Sequence, residues 1–115
     1  MSQTAVDAAA FAEMKELMGD ALNDVITLFL QSLPEQLSAI EDAIDNNDAE
    51  SLFNVSHKLK SSCGSIGAFG LAKKAETVEI IGRNGSTQVS DQVLNELRDA
   101  TRQVITFLNI EINNK

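Results

Sequence analysis

From Leu22 to Ile44 the apolar residues return every three or four positions, through Ile26, Phe29, Leu33, Leu37 and Ile40. A strand would need alternation at two; this spacing draws one stripe along a helix. A helix with a single apolar stripe gains most of its stability by burying that stripe against a neighbour. The chain must therefore supply partners for a long helix over about Ala21 to Asn46. Pro34 lies inside it and has no N–H to donate. Because the period continues on both sides, the proline is expected to loosen or kink the helix rather than divide it.

Four further segments carry the same kind of pattern. A short helix is expected from about Val6 to Met18, with Phe11, Met14, Leu17 and Met18 on one face. Gly19-Asp20 ends it, and Asp20 is a candidate cap for the long helix. Asn46-Asn47-Asp48 reads as a turn, with Asp48 capping a helix from about Ala49 to Ser65. The inner face there is Leu52, Val55 or Ser56, Leu59, Cys63 and Ile66. Gly67-Ala68 leads to a helix from about Phe69 to Ile81, with Leu71, Ala75 and Val78 inward. Gly82 to Gly85 reads as a break. Ser90 is a candidate cap for the last helix, whose face is Val93, Leu97, Ala100, Val104, Phe107 or Leu108, and Ile112. Short connections make consecutive long helices antiparallel neighbours. The expected fold is all-α: an up-and-down antiparallel four-helix bundle with a short N-terminal helix, one domain over 1–115.

Composition agrees and removes several functions. The 115 residues include no Tyr or Trp, one Pro and five Phe, which leans toward helix. Seventeen acids face nine Lys and Arg, a net charge of -8. A phosphate backbone or an anionic bilayer wants a basic surface, so nucleic acid and membrane are not expected partners. Apolar runs are too short to span a bilayer. The opening MSQTAVDAAAFAEM lacks a basic start followed by an apolar block, so no signal peptide is expected and the cytoplasm is the default. One cysteine, Cys63, and one histidine, His57, give too few ligands for a cysteine-rich zinc or haem site. Cys63 falls on the apolar stripe and reads as a small hydrophobe.

The lone histidine stands in an unusual neighbourhood. At about 100° per residue, His57 shares a helix face with Phe53, Lys60, Ser61 and Gly64, while Leu59 points away toward the core. His57 therefore points outward or sits at the stripe's edge. Gly64 costs a helix about 1 kcal/mol relative to Ala. It either begins the helix end near Gly67 or leaves room for a bulky object against this face. Charge is also uneven. Met1 to Ser56 holds eleven acids and one base; His57 to Arg83 holds Lys58, Lys60, Lys73, Lys74 and Arg83 against Glu76 and Glu79. A basic neighbourhood around one imidazole suits a phosphoryl group or an acidic partner. It also suits an ordinary solvated face.

The run His57-x-Leu59-Lys60-Ser61-Ser62-x-x-x-Ile66-Gly67-Ala68 resembles the signature of histidine-containing phosphotransfer domains. The stretches Phe29-Leu30 through Leu37 to Asp48, and Leu71 to Glu79, look like theirs too. The resemblance covers about Phe11 to Phe107. Two positions depart from it: Ser61 stands where glycine is usual, and Ser65 where asparagine is frequent. The resemblance implies a helical bundle that relays phosphoryl groups between receiver-domain aspartates, or from a hybrid sensor histidine kinase to a response regulator. It implies that His57 is phosphorylated, that Lys60 neutralises phosphoryl oxygens, and that Ser61 and Gly64 admit the receiver. It places at Glu79 the residue that hydrogen-bonds the far ring nitrogen. If Nδ1 donates to Glu79, the other nitrogen keeps its lone pair for attack.

The chain contains no glycine-rich phosphate loop, no nucleotide fingerprint and no carboxylate cluster beside His57. It is expected to be a phosphocarrier and not an enzyme, to bind no cofactor, and to meet a divalent cation in the partner's receiver domain. It is expected to be a monomer acting in trans. Its docking surface is expected to have an apolar centre from the first two helices, near Phe29 and Gln36, and a basic rim of Lys58, Lys60, Lys73 and Lys74 around Phe53, Ser61 and Gly64. The competing reading is a helical adaptor without phosphate chemistry, which has no need of an imidazole ringed by small residues.

Overall fold

A computed structural model describes residues 6–113; the first five positions of the opening stretch and the last two of the 1–115 domain lie outside the described residues. Five helices follow in order: α1 Ala8–Met18, α2 Ala21–Asp45, α3 Ala49–Ser65, α4 Phe69–Arg83 and α5 Asp91–Asn113. α2 packs on α3, α3 on α4, α4 on α5, and α5 returns to α2, closing the bundle; α1 leans on α2. The core follows the stripes read from the sequence, with Leu33, Ile40, Leu52, Leu59, Leu71, Val78, Leu97, Val104 and Leu108 fully buried; α1 departs, since it buries Phe11 but leaves Leu17 and Met18 at its C-terminal end exposed. The open choices resolve to Ser56 and Leu108, both buried. Phe107 instead meets Phe11 of α1 edge-on, centroids 5.0 Å apart.

Side-chain caps begin three of the five helices. The Asp7 carboxylate accepts from Ala9 N and Ala10 N at 3.0 Å, so α1 begins at Ala8, not Val6. Asp48 accepts from Ser51 N and Ser90 from Val93 N, as expected of capping residues. Asp20 does not cap α2. Its backbone is already helical, and its side chain accepts no bond from the first turn. α2 runs unbroken through Pro34.

Two glycines set how α3 and α4 meet. Gly67 has φ +78°, and a Cβ there would lie 3.2 Å from that of Ala10. Its carbonyl also accepts from Asp7 N at 2.8 Å, pinning α1 to the α3–α4 turn. Gly82, expected in a break, lies inside α4, which continues to Arg83. A Cβ on it would lie 2.7 Å from Phe53 N and 3.0 Å from Ala49 O. The backbones of α3 and α4 thus touch directly, beside the turn that bears Phe53 and His57. α3 and α4 form the most extensively packed pair of the bundle.

Candidate functional site

The α3–α4 seam brings His57 and Glu79 together. His57 is on the outer side of α3, its side chain 54% exposed; Glu79 is on the inner side of α4, its side chain 1% exposed. His57 Nδ1 lies 2.6 Å from Glu79 Oε2. An ionised carboxylate only accepts, so Nδ1 carries the proton and donates it. Nε2 of the neutral ring then holds the free lone pair. Phe53, one turn earlier, stacks on the imidazole with centroids 5.8 Å apart and planes 20° from parallel. The ring is held at its edge by the carboxylate and at its face by the phenyl group.

Glu79 gathers three cationic or proton-bearing groups. Lys60 Nζ lies 2.7 Å from Oε1, and Arg83 lies 3.7 Å from Oε2. Burial raises the Glu79 pKa, but the bonds from Lys60 and His57 and their charges outweigh it. The carboxyl is held below its usual range and is ionised at neutral pH. Glu76 adds a second contact to Lys60 at 3.8 Å. Lys60 is therefore not a free cation waiting beside the imidazole. It is already paired to the residue that orients the ring.

The remaining expected site residues divide. Ser61 and Gly64 are exposed on the His57 face, and a Cβ at Gly64 would meet nothing within 4 Å. Lys58 and Lys73 are exposed at its flanks. Lys74 does not belong there. Its Nζ pairs with Glu96 Oε1 of α5 at 2.7 Å, because five residues of helix turn it about 140° from Glu79. Phe29 is buried and offers no docking surface; Leu28 beside it is exposed. Arg83, Glu76 and Gly82 were missing from the expected site. Arg83 is four residues from Glu79, a spacing that puts the two on one face. The role of Gly82 depends on α3 and has no local signature. Among the described residues, no group of three His, Cys, Asp or Glu is placed to hold a metal ion. Nor is any helix long and apolar enough to cross a membrane.

The family model of the Hpt domain matches residues 24–107, a span that holds every member of this cluster. The chain belongs to the Hpt domain family. Its function is histidine phosphotransfer in two-component phosphorelay signalling, in which Hpt domains are phosphocarrier modules for response-regulator receivers and kinases. The fold is similar to the crystal structure of histidine-containing phosphotransfer protein B (HptB) from Pseudomonas aeruginosa PAO1. The TM-score is 0.90 over 99% of each chain, at 22% identity. No curated protein sequence matches this Hpt domain.

Proposed function

We propose that His57 is the residue of this Hpt domain that carries the phosphoryl group, through Nε2. The observation that supports this is the 2.6 Å bond from Nδ1 to the buried Glu79, which leaves Nε2 as the nucleophile on an exposed ring. The Nε2 lone pair attacks phosphorus of an aspartyl phosphate in line. The N–P bond forms as the P–O bond breaks, and the aspartate leaves as a carboxylate. Glu79 stabilises the positive charge that develops on the ring. Delivery to a second aspartate reverses these steps. Lys60 serves the phosphoryl oxygens from its place on Glu79, a short swing of a partly exposed ammonium. The divalent cation belongs to the receiver, and this chain binds no cofactor of its own. It is a carrier and not an enzyme, acting as one cytoplasmic, monomeric helical domain between a hybrid sensor kinase and a response regulator. Ser61, Gly64, Phe53, Lys58 and Lys73 lie where the receiver docks.

Phosphorylated protein is expected to carry one acid-labile, base-stable label, and His57→Gln to lose it. Stoichiometric label on that variant would sink the assignment and restore the adaptor reading. Lys60→Ala is expected to slow transfer while leaving docking intact. An unchanged rate at saturating receiver removes Lys60 from the chemistry.

A further inference from the structure

Glu79 can hold the Nδ1 proton of His57 only while its carboxylate stays ionised, and its side chain is 1% exposed. A buried carboxylate stripped of its cations takes up a proton instead. In the resting site the close cation is Lys60, 2.7 Å from Oε1. The bonds and charges of Lys60 and His57 hold the carboxyl below its usual range, and Arg83 has no part in that. In the reading above, the phosphoryl group draws on the same lysine. As Lys60 swings to the phosphoryl oxygens, Oε1 loses its partner. The ring gains positive charge at the same moment and needs the carboxylate most.

Arg83 stands beside this gap. It is the last residue of α4, one turn beyond Glu79, and its Nη2 lies 3.7 Å from Oε2. Closing that distance to a charge-assisted hydrogen bond takes about 1 Å of side-chain movement. Oε2 already accepts from Nδ1, and a carboxylate oxygen has a second lone pair for the guanidinium. The Arg83 side chain is 58% exposed and free to move, and Glu79 is its one ion-pair partner among the described residues. Lys60 and Arg83 thus flank a single carboxylate, one at each oxygen. The lysine is close and the arginine is held back.

Resting on the reading of His57 and Lys60 above, we propose that Arg83 is a positioning residue that takes over Glu79 when Lys60 turns to the phosphoryl group. The handover makes and breaks no covalent bond. One cation leaves Oε1 as another tightens on Oε2, and Glu79 stays ionised throughout. Nδ1 therefore keeps its proton in the phosphorylated state. The phosphoryl group then departs from a cationic ring and leaves neutral imidazole behind, a far better leaving group than imidazolate. Without Arg83 the Nδ1 proton passes to Oε2 in that state, and the phosphoryl group must depart from a neutral ring.

The test is the nitrogen NMR spectrum of the His57 ring, before and after labelling with the small donor phosphoramidate. It compares wild type, Arg83→Ala, Arg83→Lys, Lys60→Ala and the double variant Lys60→Ala/Arg83→Ala. Before labelling, Nδ1 is expected to be protonated in every single variant, because either cation suffices, and unprotonated in the double variant. After labelling, Arg83→Ala is expected to move Nδ1 into the unprotonated range. It should also slow transfer to a receiver about tenfold, the usual effect of losing one hydrogen bond to a charged group. Arg83→Lys should restore both. An arginine that only stabilised the helix end would act alike in both states. Three results overturn the proposal: Nδ1 still protonated in labelled Arg83→Ala, Nδ1 already altered in that variant before labelling, or a double variant that matches Lys60→Ala. If wild type takes no label on Nε2, the assignment of His57 falls and the handover with it. Label on Nε2 without any effect of Arg83 overturns the handover alone.

Discussion

Two glycines, one on each helix of the site, hold opposite kinds of place. Gly64 looks out: nothing lies within 4 Å of where its Cβ would be. Gly82 looks in: a Cβ there would lie 2.7 Å from the backbone nitrogen of Phe53. The outer face around Gly64, Ser61 and His57 is empty so that something else can occupy it. The inner seam around Gly82 and Glu79 is full, and its fullness fixes where the imidazole points. A transfer site of this kind needs both. The nucleophile must be open on one side to meet a partner and held from the other so that the right nitrogen meets it.

The contrast can be broken from either side, and the largest effect is expected outside. Gly64→Gln places a long side chain over the approach to His57. A displacement of the receiver by 1 Å is expected to slow transfer about a hundredfold. Stability should hold or rise slightly, since Gln is the better helix former. Parallel transfer rates and thermal melts check both halves, and an unaltered rate would mean that the partner docks elsewhere. Next comes Gly82→Ala, where one methyl group must separate two helices. Overpacking is expected to cost about 1–3 kcal/mol, visible as a lower urea midpoint. Phosphoramidate labelling of His57 should also slow, because the seam that sets the Nδ1–Glu79 bond has widened.

A smaller effect concerns pH. The folded Glu79 pKa lies below its unfolded value, so the ionised carboxylate contributes stability that is complete above the ordinary carboxylate range. That contribution is lost as pH falls through the folded value. The urea midpoint of wild type should therefore exceed that of Glu79→Gln at pH 7, and the gap should narrow on acidification below the ordinary carboxylate range. A gap that does not change with pH would show that the charge of Glu79 is immaterial to the seam. The smallest effect is Ser56→Ala. Ser56 is fully buried, and its hydroxyl has no hydrogen-bond partner among the described residues. Removing it on α3 should raise stability by about 0.5 kcal/mol, and any marked loss would reveal a bond to that hydroxyl.

The same contrast explains what the sequence made legible. The stripes of Leu22 to Ile44 and of Leu52 to Ile66 are periodic within one segment, so the helices and the closed bundle could be read directly. His57, Ser61 and Gly64 share one face of one helix, and the outer surface could be read for the same reason. Glu79 came from resemblance, since nothing in α4 alone marks it for burial. Gly82 was misread because Gly82-Arg83-Asn84-Gly85 has the composition of a turn, while its place is set by Phe53 and Ala49 on another helix. The sequence places Lys60 and Lys74 on a basic rim without their ion-pair partners, because a charge shows in the sequence and its partner does not. Glu79 and Glu96 lie nineteen and twenty-two residues away from them. Asp20 has the right residue type for a cap, but the chain enters α2 already helical there.

Cys63 sits one and a half turns beyond His57, sealed in the core, and burial pushes its thiol up to about 12. At neutral pH only roughly one molecule in 10⁵ would hold it as thiolate. Peroxides and disulfides react with thiolates, so Cys63 is a poor target for both. Six residues along the same helix, His57 is half exposed, so α3 carries one nucleophile turned to solvent and one sealed away from it.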